Sequence, residues 1–244
     1  MKFDGFALVD LPPGGVWRVT NWPEPLEPPP PPPPISKEER DNDESRRWDA
    51  PDREFRTLYC ATQEEGAFGE KLSSFRLEPA VVRAIEEFLE EEADEEFADD
   101  DLAGGLTREE IEDLDWKLAW APRLGGTQAI DITASRSKLA ALPRIAGALG
   151  AFGFPRLDRV ALRTSRRGFT RRIAGYLHEL SIDDSGNLEA SGIRYESRLP
   201  PCWECWALWE PLPLDTSQAK IERVTIDHRA LRSAAAKLGV PLLD

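Results

Sequence analysis

Four short stretches of this chain carry side chains that could hold a dinucleotide and break a glycosidic bond. Arg46-Arg47-Trp48 offers guanidinium groups, whose planar donor fork suits phosphate oxygens. Leu58-Tyr59-Cys60-Ala61 supplies an aromatic ring with a hydroxyl, and Ala67-Phe68-Gly69-Glu70 ends in a carboxylate. Gly192-Ile193-Arg194-Tyr195-Glu196-Ser197 ends in a second hydroxyl. A carboxylate near a ribose can stabilise the positive charge of an oxocarbenium-like transition state.

The elements that would position these stretches mix strands and helices irregularly. Strands are predicted at Val16–Val19, Leu58–Ala61, 116–120, 129–132, 192–197, 203–209 and 224–226, and 159–162 is compatible with another. Helices are predicted at 62–72, 79–97, 107–114, 135–149, 169–180 and 229–237, with a short one near 36–40. This order predicts an α+β fold, with a mixed β-sheet core and flanking helices.

Two of these helices begin with a possible capping box. Thr62 is followed three residues later by Glu65, and Thr107 stands in the same relation to Glu110. In such a pair the hydroxyl and the carboxylate satisfy backbone N–H groups of the first turn.

The negative charge of the chain is concentrated in one segment. The formal net charge is −14, and residues 86–115 hold sixteen Asp or Glu against one Arg, which is −15. The rest of the chain therefore sums to +1. A phosphate-binding site outside the segment is compatible with this balance, whereas direct nucleic-acid binding, which needs a basic face, is disfavoured.

The sequence indicates a protein of the cytoplasm that needs no metal. No apolar run approaches the roughly 20 residues of a membrane span, and Met1–Gly5 has an acid, Asp4, where a signal peptide would carry basic residues before an apolar core. The three cysteines suit a reducing compartment. Cys202 and Cys205 have the spacing of half a zinc site, but a structural zinc needs four ligands, so buried thiols are predicted.

Two segments look like additions to a single domain that spans residues 1–244. A proline-rich spacer covers 23–34 and includes seven consecutive prolines, 28–34, which predict a polyproline II linker or a docking motif. The acidic insertion covers about 86–115. It is a solvated surface, a self-inhibitory element, a replacement for a partner or a ligand for a basic partner; the sequence leaves these open.

The four stretches, in this order, resemble the RES domain family, named for Arg, Glu and Ser. Its members commonly have Gly-Arg-Trp or Gly-Arg-Phe, a Leu-Tyr-Leu-Ala-like strand, Ala-Leu-x-Glu and Gly-Ile-x-Tyr-x-Ser before an apolar strand. Here Trp206-Ala207-Leu208-Trp209 follows the last motif, and Val16-Trp17-Arg18-Val19 is similar to the family's first strand. The resemblance covers about residues 17–210. Arg46 stands where the family usually has glycine.

The resemblance implies a fold similar to ADP-ribosyltransferases and a bacterial toxin that degrades NAD. Known members use phosphorolysis, and a helix-turn-helix antitoxin of the Xre type covers their active site. NAD is then the substrate, inorganic phosphate is a possible co-substrate, and no prosthetic group is implied. Hydrolysis by water, ADP-ribosyl transfer to a macromolecule and a catalytically inactive interaction module stay open, as does the oligomeric state.

Five residues receive roles from this resemblance. Glu70 supports the oxocarbenium ion and Arg47 clamps a phosphate of the dinucleotide. Tyr59 stacks on nicotinamide or donates a hydrogen bond, unless it is a core tyrosine. Ser197 binds the ribose or the carboxamide, and Arg18 is a candidate for a second phosphate contact.

A second cationic group deserves separate mention because it surrounds a predicted helix start. Arg163, Arg166, Arg167, Arg171 and Arg172 form either an anion site or a solvated basic face. His178 lies between Leu177 and Leu180, where helix packing or surface exposure is expected rather than catalysis.

Overall fold

The computed structural model describes residues 3–30, 46–52, 54–76, 105–199 and 203–243. The strands are β1 Leu8–Asp10, β2 Val16–Thr20, β3 Thr57–Ala61, β4 Leu106–Thr107, β5 Lys117–Ala121, β6 Gln128–Asp131, β7 Gly192–Glu196, β8 Glu204–Trp209, β9 Lys220–Arg223 and β10 Leu242–Leu243. The helices are α1 Glu64–Leu72, α2 Arg108–Asp113, α3 Ser135–Ala151, α4 Arg159–Leu162, α5 Arg167–Ser181 and α6 Arg229–Leu238, with a 3₁₀ turn at Thr216–Gln218.

A mixed sheet of eight strands forms the centre of the molecule. Its order is β1-β6-β7-β8-β3-β2-β5-β9. The β6–β7 pair is parallel and the other neighbours are antiparallel, while β4 and β10 form a separate parallel pair. The predicted α+β class with a mixed sheet is confirmed.

Both faces of the central strands are buried, which explains why residues 205–209 of β8 are all apolar. Side chains alternate between the two faces of a strand. Cys205, Ala207 and Trp209 pack in the larger core cluster with the helices, whereas Trp206 and Leu208 pack in a second cluster. The second cluster also holds Leu11, Leu26 and Leu214 from connecting segments.

The sheet opens between β2 and β3. These two strands share a single residue pair, Trp17 with Ala61. By contrast, β3 pairs with β8 at five positions and β2 pairs with β5 at five positions. Each strand is therefore held firmly by its outer neighbour, and beyond the one shared pair the two separate and leave a gap.

Two predicted strands are wrong. Residues 159–162 form helix α4, because the Asp158 carboxylate accepts a hydrogen bond from the Ala161 backbone N–H at 3.0 Å and caps that turn. Residues 224–226 leave the sheet after β9; Val224 and Ile226 are buried in the core, and this burial produced the strand-like alternation. Strands β1, β4 and β10, of two or three residues each, were missed, and so was β9, of four.

One capping box is confirmed and the other is wrong. Thr107 and Glu110 form the reciprocal pair at the start of α2. Helix α1 instead begins after Gln63, without a side-chain cap. The Thr62 hydroxyl donates to Glu204 Oε2 at 2.6 Å and accepts from Trp206 Nε1 at 2.9 Å. The hydroxyl that the sequence pattern assigned to the helix cap is therefore used in contacts with β8.

Several predictions fall on residues that the structure does not describe. These are the helices at 36–40 and 79–97, most of the proline tract, most of the acidic insertion and Cys202.

Candidate functional site

A cleft of about 220 Å³ lies where β2 and β3 separate. Trp17, Arg18 and Val19 line it from β2, and Tyr59, Cys60 and Ala61 line it from β3. Its other walls come from α1, the loop that begins at Arg46, and residues near the start of α5 and the end of β7. The cationic side chains in the wall are Arg18, Arg46, Arg47, Lys71, Arg167 and Arg198. Glu70 is the one acidic residue in this lining.

Arg47 is held at the edge of the cleft by two backbone carbonyls. Its Nη1 donates to the Leu162 carbonyl at 3.3 Å and its Nη2 donates to the Glu196 carbonyl at 3.1 Å. The guanidinium carbon lies 4.6 Å from the centroid of the Tyr195 ring. A guanidinium carries five N–H donors, so this anchoring orients the group and leaves donors for a phosphate.

The Tyr59 hydroxyl is used by the protein itself. It donates to Asp49 Oδ1 at 2.9 Å and accepts from the Trp48 backbone N–H at 2.7 Å. Asp49 Oδ2 also accepts from the Arg46 backbone N–H at 2.6 Å. Tyr59 thus fixes the loop that carries Arg46 and Arg47, while its ring lines the cleft.

Burial shifts the pKa values of Tyr59 and Asp49. Burial, with the nearby Asp49 carboxylate, holds the pKa of Tyr59 well above its usual value. Burial also raises the pKa of Asp49, against the opposing hydrogen bonds from Arg46 and Tyr59.

Glu70 and Ser197 meet at the inner wall. The Ser197 hydroxyl donates to Glu70 Oε1 at 2.6 Å and accepts from the Leu199 backbone N–H at 3.2 Å. Ser197 is 0 % exposed, whereas Glu70 is exposed toward the cleft. One oxygen of the carboxylate is therefore fixed by the protein, and the other is left for a ligand.

Glycine lets α1 approach closely enough to place Glu70 there. A Cβ atom on Gly69 would lie 2.1 Å from the Trp203 ring, and one on Gly66 would lie 3.0 Å from Trp203 Cβ. Trp203 precedes β8 and is 6 % exposed, so it has little room to move.

Arg18 and Lys71 are cations in a crowded, partly desolvated wall. Burial lowers the pKa of Arg18 to about 10, with a further contribution from Arg46. Arg18 Nη1 donates to the Glu27 carbonyl at 3.2 Å. Burial, together with Arg46 and Arg18, lowers the pKa of Lys71 to about 8. An anionic ligand would relieve this crowding.

The structure brings the five residues singled out from the sequence together: four line the cleft, and Ser197 bonds Glu70. Three further cations of the lining were missed. Arg46, Lys71 and Arg198 directly neighbour Arg47, Glu70 and Ser197 in the chain, and each lines the cleft. Their position next to the motif residues could have predicted them, because basic residues beside an anion-binding motif add to its positive electrostatic potential. Burial, followed by Arg47, lowers the pKa of Arg198.

The five arginines near the start of α5 do not form one anion site. Arg167 lines the cleft and Arg163 lines a neighbouring one. Arg171 is buried and donates to the Pro51 carbonyl at 3.0 Å. Arg166 donates to the Phe152 carbonyl, and Arg172 lies over the Phe152 ring.

The other candidates pack as expected. His178 stacks on Phe55 and meets Trp209 edge-on, and burial lowers its pKa to about 4. Cys205 is a buried free thiol.

Within the described ranges, no three His, Cys, Asp or Glu side chains are grouped to hold a metal ion. No helix in that part of the chain has the length and apolarity needed to cross a bilayer.

Comparison with known proteins gives one match. The RES domain matches residues 16–229, which include all five predicted site residues. No curated protein and no solved structure matches the chain.

Proposed function

Because the chain belongs to the RES domain family, we propose that it cleaves NAD at the bond between nicotinamide and ribose. The observation that carries the proposal is the charge pattern of the cleft: six cations and one carboxylate line it, in a chain of net charge −14. The cations suit the pyrophosphate of a dinucleotide, and the carboxylate suits the cation that forms on its ribose.

Arg47 anchors the dinucleotide in this proposal. Its guanidinium is oriented by two carbonyls and backed by the Tyr195 ring, so little side-chain entropy is lost when it binds a phosphate. Arg18 and Lys71 lie on the β2 and α1 sides and supply further contacts. Tyr59 presents its ring to the nicotinamide side, since its hydroxyl already bonds Asp49.

Glu70 acts on the reacting ribose. As the bond between the nicotinamide nitrogen and C1″ breaks, the electron pair leaves with neutral nicotinamide, and positive charge develops on C1″ and the ring oxygen. The free carboxylate oxygen of Glu70 stabilises that charge. Full burial of Ser197 and its bond to Glu70 favour a role in orienting this carboxylate rather than in direct contact with the ribose.

An acceptor then adds to C1″. Inorganic phosphate would give ADP-ribose 1″-phosphate, as in toxins of this family, and water would give ADP-ribose. A toxin role with an Xre-type antitoxin that covers the cleft belongs to the same proposal. Transfer of ADP-ribose to a protein or nucleotide is the closest alternative, and it differs in the acceptor alone.

The test is incubation of purified protein with NAD, with and without phosphate, followed by quantification of nicotinamide and the ADP-ribose products. We expect nicotinamide release by the wild-type protein and its loss in Glu70→Gln. Glu64→Gln is the matched control, because it removes the same charge from the same helix outside the cleft lining.

The products separate the alternatives. Phosphate-dependent ADP-ribose 1″-phosphate supports a phosphorylase, and ADP-ribose in both samples supports a hydrolase. Failure of the folded wild-type protein to release nicotinamide would contradict cleavage with phosphate or water as acceptor, and would leave a transferase that needs its acceptor or an interaction module. Undiminished cleavage by Glu70→Gln would contradict the assigned site.

A further inference from the structure

A second cleft, of about 140 Å³, lies beside the first and shares Arg47 and Tyr195 with it. Its other walls come from Ile132 and Thr133 after β6, from Lys138 on α3, and from Arg159, Leu162 and Arg163 on and after α4. Trp48 and Glu196 complete the lining. The motif residues Glu70 and Ser197 do not belong to it.

The lining of this second cleft is strongly basic. It contains Arg47, Lys138, Arg159 and Arg163 against the single acid Glu196. The Glu196 carboxylate is already paired, since its Oε2 lies 3.0 Å from Arg159 Nη2. The cleft therefore carries a formal excess of three positive charges over its own acid, four minus one.

Two donors in these walls lack an acceptor among the described residues. The indole Nε1 of Trp48 is buried without a hydrogen-bond partner. Lys138, half-buried on the first turn of α3, makes no side-chain hydrogen bond or ion pair with them. A buried donor without an acceptor is unfavourable, so the Trp48 indole N–H suits an incoming anion, and the unpaired Lys138 ammonium supplies a charge for it. Thr133, by contrast, is satisfied by Asp131 and Arg194.

The side chains of the lining indicate the class of that anion. Two guanidinium groups and an ammonium suit the oxygens of a tetrahedral oxyanion such as phosphate or sulfate. Helix α3 begins beside it with neither a side-chain cap nor an acid in its first turn, which adds to the positive field.

We propose that this second cleft binds a free tetrahedral oxyanion, with inorganic phosphate as its ligand. Guanidinium forks from Arg47 and Arg163 and the ammonium of Lys138 contact the anion from different sides. The site adjoins the one that takes the dinucleotide and shares Arg47 with it, but its existence does not depend on NAD cleavage.

The test is titration of the protein with inorganic phosphate, followed by calorimetry, in variants with one charge reversed. We expect Lys138→Glu to weaken phosphate binding by about tenfold or more, because a charge-assisted contact becomes a repulsion. Lys220→Glu, on the opposite edge of the sheet, should change it by less than about threefold. If the reversed charge disturbs folding, Lys138→Gln replaces Lys138→Glu in the test, provided that its unfolding temperature equals that of the wild-type protein.

Three outcomes would overturn the proposal. They are the absence of saturable phosphate binding to the wild-type protein, unchanged binding in both Lys138 variants, or a loss in Lys220→Glu as large as in Lys138→Glu. A parallel titration with adenosine monophosphate separates a free oxyanion from a phosphoryl group carried by a nucleotide. If Lys138→Glu weakens the nucleotide more than the phosphate, the cleft is a nucleotide subsite instead. Because binding is measured without turnover, failure of NAD cleavage would leave this result interpretable.

Discussion

The 2.6 Å bond between Ser197 and Glu70 joins two residues that are 127 positions apart in the chain. It fixes one carboxylate oxygen from the buried side and directs the other toward the cleft. A hydroxyl in this position lowers the freedom of the carboxylate without competing for the ligand. Ser197 is thereby a positioning residue in the proposed reaction, and Glu70 is the residue that touches the ribose.

We expect Ser197→Ala to reduce kcat for NAD cleavage by about ten- to a hundredfold, with KM changed by less than about twofold. A hydrogen bond to a charged group contributes about 1.5–3 kcal/mol, and about 1.4 kcal/mol corresponds to tenfold in rate. Steady-state kinetics would measure this, with Ser74→Ala, an exposed serine outside the cleft lining, as the control. A large rise in KM with an unchanged kcat would instead indicate that Ser197 binds the ribose.

Lys71 gives ligand binding a dependence on pH near neutrality. Its pKa is about 8 in the folded protein, against a usual 10.5. A bound phosphate favours the ammonium and raises that pKa, so affinity for ADP-ribose should fall as pH rises through about 8. Lys71→Arg should bind with little pH dependence in this range, because its charge persists. Lys71→Gln should bind weakly and without the fall; equal pH profiles in all three proteins would contradict this.

Without ligand, the stability of the fold changes with pH in the opposite direction to ligand affinity. Between pH 8 and 10.5 the unfolded chain keeps the Lys71 proton and the folded chain has released it. The free energy of unfolding therefore rises with pH across this window. Chemical denaturation of wild type and Lys71→Gln would detect the difference.

At the scale of elements, the site depends on where strand pairing stops. The apolar pattern located β2, β3, β7 and β8 and the helix that carries Glu70, so each site residue could be assigned to its element from the sequence. The separation of β2 from β3 was not predictable, because it depends on stronger pairing of each strand with a partner more than 90 residues away. Helix α4, with four residues, was too short to show a helical period.

Gly69 allows α1 to lie against Trp203, and we expect Gly69→Ala to disturb both fold and site. The new methyl group would lie within 2.1 Å of a buried ring, so the helix must shift and carry Glu70 with it. The expected cost is about 1–3 kcal/mol in the free energy of unfolding, with a loss of activity beyond that explained by unfolding. Gly147→Ala on α3, where nothing lies within 4 Å, should be neutral or stabilising. Equal behaviour of the two variants would contradict the packing argument.

Tyr59 links β3 to the arginine loop, and we expect Tyr59→Phe to loosen that loop. Loss of the hydroxyl leaves Asp49 and the Trp48 N–H without this partner, at about 1–3 kcal/mol in the free energy of unfolding. KM for NAD should rise because Arg47 is less well held. Tyr176→Phe is the control, since no hydrogen bond from that hydroxyl is formed to the described residues. An unchanged KM in Tyr59→Phe would show that the loop is fixed by its other contacts.

At the scale of the whole molecule, positive and negative charges are concentrated in different parts of the chain. Six cations line the first cleft although the chain carries a net charge of −14. The sequence predicted that the acidity belongs to one segment and leaves the rest nearly neutral. It did not predict that the remaining cations converge on one cleft, because they come from five separate parts of the chain.

This convergence predicts that binding of the dinucleotide depends on salt. We expect KM for NAD to rise several-fold between about 0.05 and 0.5 M salt, as the Debye length falls to a few ångströms. Arg198→Gln should show a smaller rise than the wild-type protein, and Lys220→Gln, which lies outside the cleft lining, should match it. A KM independent of salt would contradict phosphate recognition by these cations.

The order of the strands also bears on when the site can exist during synthesis. Strand β3 lies between β2 and β8 in the sheet. Because β8 is synthesised long after β3, β7 and β8 must emerge from the ribosome before the sheet around Glu70 can be completed. A growing chain holds Arg47 and Glu70 long before it holds Ser197. If the protein does consume an essential metabolite, the cell that makes it is exposed to that activity only after Ser197 and β8 have been synthesised.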